Sequence, residues 1–175
     1  MARSALYVIQ VTAGKEERAK RLILRLLPDV VEDCYTPAYE VMRRVRGEWR
    51  LVRGTLLPGY VFVQTANPEK VAQGLREVPA FTRLLGNSDE SFTHLTADEV
   101  SWLNAFTNIK THVVEMSKGV IEGDQVVVTK GPLRGREAQI ARVDRHRRTA
   151  ELEVYMFGRN KRIKVGLEIV RKRST

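Results

Sequence analysis

At 175 residues the chain is long enough for one ordinary domain or two small ones, and its 43% hydrophobic and 29% charged residues exclude a disordered chain. No apolar run approaches membrane-spanning length, and Met1 to Val11 lacks the pattern of a signal peptide, so a cytoplasmic protein without a membrane partner is expected. The net charge of +9 is unevenly placed: residues 1–107 carry 14 Lys+Arg against 13 Asp+Glu, residues 108–175 carry 16 against 8, and the second part therefore calls for a polyanionic partner, nucleic acid first.

Leu6 to Val11 is a short apolar run, the pattern of a strand buried on both faces. After Gly14, Ala19, Leu22, Ile23 and Leu26 recur at helical spacing with Arg18, Lys20, Arg21 and Arg25 on other faces, until Pro28 blocks continuation. Val30 to Tyr35 and Val41 to Val52 read as extended, the latter broken by a turn near Gly47, and Leu56 to Gln64 is a strand entered through Pro58-Gly59. A second helix is predicted with Asn67 as cap, Pro68 at its first position, Val71, Leu75 and Val78 on one face and Pro79 as its end. Phe81 to Leu85 follows as a strand. Thr96-Ala97-Asp98-Glu99 has capping-box spacing, which starts a third helix with Val100, Leu103 and Phe106 inward.

From Gly123 the period falls to two. Val126 to Thr129, Ala138 to Val143, Ala150 to Met156, Arg162 to Val165 and Leu167 to Val170 are five short strands, the number of a small barrel, and Leu152, Val154 and Met156 should face inward while Glu151, Glu153 and Tyr155 face out. Thr107 to Gly119 connects the two parts. A lone Cys34 and the scattered His94, His112 and His146 offer neither a disulfide nor metal-ligand spacing, and no phosphate loop or nucleophile elbow occurs. No enzyme, cofactor or metal is expected.

Tyr7-Val8-Ile9-Gln10, Gly14-Lys15-Glu16 before Ala19, and Pro58-Gly59-Tyr60-Val61-Phe62-Val63 resemble the N-terminal domain of the NusG transcription factors. Gly123-Asp124-Gln125-Val126-Val127-Val128, Gly131-Pro132, Gly135 and Phe157-Gly158-Arg159 look like their KOW domain. The resemblance implies an α+β chain. Its first part, 1–107, would be an antiparallel sheet with helices that binds the clamp helices of bacterial RNA polymerase, near the non-template DNA. A linker, 108–118, would join it to a five-stranded SH3-like β-barrel, 119–175, in a monomer. Leu6 stands where most members have Trp, and Leu133-Arg134 leads directly to Gly135 where ordinary members have a longer Phe-containing insertion. Both departures argue against an ordinary member, and the shortened loop with the strongly basic barrel is more similar to specialised antiterminator paralogues such as LoaP. An ordinary elongation and termination factor that binds Rho or a ribosomal protein is the alternative, and a ribosomal ribonucleoprotein component a more distant one.

Two sets of side chains are candidates for binding. Tyr7, Leu56, Leu57, Tyr60 and Phe62 supply apolar anchors for an exposed groove that would dock on a helical hairpin of the polymerase, although alternate strand positions equally fill a core. Lys130, Arg134 and Arg136 surround the first barrel turn, Arg145, Arg147 and Arg148 the second, and Arg159, Lys161, Arg162 and Lys164 the last. If the loops converge, this set suits an RNA hairpin with exposed loop bases; otherwise it is a solvated basic surface. Arg171-Lys172-Arg173 reads as a solvated tail.

Overall fold

Strands and helices alternate through the first hundred residues and strands dominate after them. In the computed structural model, which describes residues 3–77, 83–84 and 94–173, the order is β1 (Ala5–Gln10), α1 (Glu16–Leu26), β2 (Asp33–Tyr35), β3 (Ala38–Val45), β4 (Glu48–Thr55), β5 (Tyr60–Thr65), α2 (Pro68–Leu75), β6 (Arg83–Leu84), α3 (Ala97–Phe106), β7 (Val113–Val114), β8 (Ser117–Glu122), β9 (Gln125–Lys130), a 3-10 turn at Glu137–Gln139, β10 (Ile140–Asp144), β11 (Thr149–Met156) and β12 (Arg159–Arg173). The fold is α+β. No helix of the described residues is long and apolar enough to cross a membrane.

By Cα packing the chain forms two compact units, and neither is continuous in sequence. The first comprises Met1–Pro37 and Leu57–Val100, the second Ala38–Leu56 and Ser101–Thr175. The boundaries read from the sequence were continuous; the structure groups the Ala38–Leu56 segment with the C-terminal residues instead.

In the first unit an antiparallel sheet runs β2-β5-β1-β6, with Ala5 opposite Thr65 and Gln10 opposite Tyr60. Ile9, Val61 and Val63 on one face pack with Ala19 and Ile23 of α1 and Val71 and Leu75 of α2, which is why the apolar residues of both helices recur every three or four positions. Truncating a fully buried residue such as Ile23 to Ala should cost about 2–5 kcal/mol. Asn67 precedes α2, but its side chain makes no cap bond; the Thr65 hydroxyl accepts the Asn67 amide at 3.0 Å and donates to the Val30 carbonyl at 2.6 Å. Val78, Pro79 and most of Phe81 to Leu85 lie outside the described residues. Thr96 does cap α3, its hydroxyl accepting the Glu99 amide at 3.2 Å.

In the second unit β3 and β4 form a hairpin, Ala38 opposite Thr55 and Val45 opposite Glu48, with β7 added parallel to β3. The other sheet has the order β10-β11-β12-β8-β9. Its five strands are not the five expected. Arg162–Val165 and Leu167–Val170 belong to one strand, β12, and Ser117–Glu122, assigned in part to a linker, is a strand. Gly166 does not break β12. It pairs with Thr149 of β11, after which β12 changes neighbour to β8 from Leu167 onward, and this exchange curls the sheet. A Cβ at Gly166 would overlap the Glu40 carbonyl, so glycine is what lets the β3 backbone approach. Glu40 also accepts the Met116 amide at 3.2 Å. On β11, Leu152, Val154 and Met156 are buried and Tyr155 is exposed, as its alternation requires.

Candidate nucleic-acid interface

The two motifs of the first unit meet at one carboxylate. Glu16, buried at the start of α1, accepts the Gly59 amide at 2.7 Å and the Gly14 amide at 3.0 Å. Gly59 has φ +86°, a left-handed conformation that glycine adopts without strain, and its carbonyl accepts the Val11 amide at 2.8 Å. Gly14-Lys15-Glu16 and Pro58-Gly59-Tyr60 are therefore two halves of one structural lock. The apolar residues around them are not an open groove. Tyr7, Leu56, Leu57, Tyr60 and Phe62 are all at most 8% exposed, which corrects the expectation of exposed anchors. Phe62 stacks on Tyr35 at 5.5 Å, and Tyr7 meets His94 edge-on at 6.2 Å.

The basic residues of the second unit separate into those that hold the fold and those that are free to bind. The Asp144 carboxylate accepts the Arg147 amide at 2.9 Å. That bond, with the His146 amide and the charges of Arg147 and Arg142, holds its carboxyl below the usual range. The β10–β11 turn so fixed leaves the Arg147 side chain largely in solvent. Arg148 differs. At φ +54° its guanidinium turns to lie 3.9 Å from the Trp49 ring centroid and donates to Glu168 at 3.1 Å, so it fastens the β3–β4 hairpin to the sheet. Arg162 is held by Glu153 at 3.1 Å and Glu151 at 3.8 Å. Arg136 lies 5.7 Å from the Phe106 ring and Lys161 5.6 Å from the Phe157 ring. Lys130, Arg134, Arg145, Arg147, Arg159 and Lys164 are exposed.

The three groups do not converge. Strand register places Thr149 beside Gly166 and Met156 beside Arg159, so the turn carrying Arg145, Arg147 and Arg148 and the turn preceding Arg159 stand at opposite ends of β11, about 23 Å apart at strand rise. The turn after Lys130 adjoins Ser117, which pairs with Leu167, and Leu167 donates its amide to the Arg148 carbonyl. The first two groups therefore flank the middle of β12, while Arg159 and Lys161 are remote from them.

Residues that sequence reading missed complete the near group. A cleft of about 390 Å³ has buried Tyr39, Val41 and Thr149 on its inner side and exposed Arg43, Arg44, His146, Arg147 and Lys164 around it, with Met42 and Trp49 between. Among the described residues, none that lines it is a carboxylate. The signal for the hairpin was the interleaving of Arg43, Arg44, Arg46, Arg50 and Arg53 with Trp49, which disappears when the charge of residues 1–107 is averaged. Counted by unit, the asymmetry deepens: 9 Lys+Arg against 11 Asp+Glu in the first, 21 against 10 in the second.

Comparison with known proteins finds two successive matches along the sequence. The family model described as "Transcription termination factor nusG" matches residues 4–104 and that of the KOW motif residues 122–156. "Transcription termination/antitermination protein NusG" of Rickettsia prowazekii is 28% identical over 173 residues, 95% of this chain and 88% of that protein. The protein of the same name from Thermus thermophilus is 27% identical over 166 residues, 87% of this chain and 90% of that one. A solved structure titled "Domain interaction in Thermotoga maritima NusG" is similar in fold, with TM-score 0.55 and 20% identity over 94% of each chain.

Proposed function

The chain belongs to the NusG family of transcription termination factors, and from that premise we propose that it is an elongation and antitermination factor whose first unit docks on the clamp of RNA polymerase and whose second unit holds structured RNA. The observation that carries the RNA half is the charge separation, since a net-acidic first unit and a strongly basic second one favour a polyanion on the second alone. Tyr7, Leu56, Leu57, Tyr60 and Phe62 enter as the packing that shapes the molecule from within, and the RNA contacts are assigned to Lys130, Arg134, Arg145, Arg147 and Lys164 with Arg43 and Arg44. The tight turn after Lys130, where the Leu133 amide donates to the Ser117 hydroxyl at 3.1 Å, supports the specialised antiterminator over the ordinary factor, because Leu133-Arg134 leads directly to Gly135 there without a Phe-bearing insertion.

The test has two arms. The full chain is expected to cosediment with core polymerase rather than with ribosomal subunits, and to retain an RNA hairpin on a filter with an affinity that falls steeply with salt. The similarity to ordinary NusG proteins along most of their length favours a second reading, in which the barrel engages Rho or a ribosomal protein. Polymerase binding without RNA retention would select that reading.

A further inference from the structure

The cleft beside the β3–β4 hairpin has features that a merely basic surface does not need. Its cations surround an apolar and aromatic interior. Trp49, 39% exposed, is held in place because Arg148 covers its ring at 3.9 Å and is itself fixed by Glu168. Among the described residues Arg43 and Lys164 make no ion pair, so their charges remain for a ligand. At about 390 Å³ the cleft falls at the small end of ligand sites, too small for a duplex and of the right order for one nucleotide.

We propose that this cleft is a subsite for a single unpaired nucleotide, the base lying against Trp49 and Met42 and the flanking phosphates meeting Arg43, Arg44, Arg147 and Lys164. The proposal rests on the nucleic-acid reading of the second unit and adds to it a preference for unpaired over paired strands. Base stacking on an aromatic ring is tolerant of sequence, whereas cations alone bind paired and unpaired phosphates alike. The unpaired nucleotide has two sources, a transcript loop or a displaced DNA strand, which share this chemistry.

Trp49 and Trp102 are the two tryptophans of the chain, so Trp102→Phe leaves Trp49 as the single indole reporter. The probes are oligoadenylate RNA and oligodeoxyadenylate of about ten nucleotides, within the usual single-strand site sizes, and a paired RNA duplex of equal length. At least one of the two single strands should quench Trp49 fluorescence; the duplex should bind without quenching. Quenching by the RNA alone would identify the transcript as the source, and by the DNA alone the displaced strand. Trp49→Leu should weaken single-strand binding on the order of tenfold and leave duplex binding nearly unchanged. Should that variant melt early by circular dichroism, Arg43→Ala with Lys164→Ala gives the second measurement, expected to flatten the salt dependence of single-strand binding more than that of duplex binding. Equal losses for single strand and duplex, or tight single-strand binding without quenching, would overturn the subsite while leaving RNA binding intact. Failure of the unaltered chain to bind any of the three probes would overturn the nucleic-acid reading itself.

Discussion

A buried carboxylate with two amide donors is a costly residue to lose. Glu16→Ala would leave the buried Gly59 amide without its acceptor, and a charged hydrogen bond of this kind contributes about 1.5–3 kcal/mol. The urea midpoint should fall by the corresponding amount with an unchanged slope. Cys34 and Tyr35 give the same unit a pH signature. Burial, chiefly, pushes the Cys34 thiol up to about 12, with Asp33 and Glu17 adding and Lys20 opposing; burial and then Asp33 push the Tyr35 hydroxyl up to about 12 as well. Both groups are neutral in the fold, whereas the unfolded chain ionises its thiol from about pH 8.5 and its phenol from about pH 10. Their stabilisation is thus complete below about pH 8.5 and lost as pH climbs toward 12. Thermal melts from pH 7 upward should show this decline, Cys34→Ala should delay its onset, and native Cys34 should resist thiol reagents until the unit unfolds.

Turns and strands, rather than helices, decide what the second unit does. Arg147 and Arg148 are neighbours in sequence with opposite duties. Arg148→Ala should lower the melting temperature by freeing Trp49 and stranding Glu168, while Arg147→Ala should leave the melt unchanged and weaken RNA retention. Gly166→Ala tests the approach of β3 to β12: the added methyl meets the Glu40 carbonyl, and a cost of about 1–3 kcal/mol in urea denaturation is expected. These elements also mark where sequence reading stops. The apolar spacing of α1, the Thr96 cap and the alternation on β11 are local patterns, and each was legible because period and burial agree there. Gly166 was misread as a strand break because its reason lies in Glu40, distant in sequence, and Ser117–Glu122 was half lost to a linker because Gly119 interrupts its pattern. Tyr7, Tyr60 and Phe62 fitted exposed anchors and core equally from sequence; tertiary packing chose the core. The cleft was illegible for a stronger reason, since residues 39–49 and 146–164 meet only through the fold.

At the scale of the whole molecule, charge and connectivity are coupled. Placing the Arg-rich hairpin with the barrel means that Arg43→Ala with Arg44→Ala, far from the KOW motif in sequence, should reduce the salt slope of RNA binding by up to about 0.9 for each phosphate contact removed. A change confined to the intercept would mean that neither arginine touches phosphate. Leu57→Glu with Tyr60→Ala, by contrast, should unfold the first unit rather than selectively release polymerase, which circular dichroism would register. The hairpin has one more consequence, and it concerns time. Its strands leave the ribosome early, yet the strand whose Gly166 receives the β3 backbone is made about 120 residues later. At about 5–20 residues per second the nascent hairpin waits roughly 6–24 s for that partner. Through this interval Tyr39 and Val41 lack their final cover, so the newborn chain passes through a sticky adolescence that a chaperone is suited to shelter, and that slower translation would prolong.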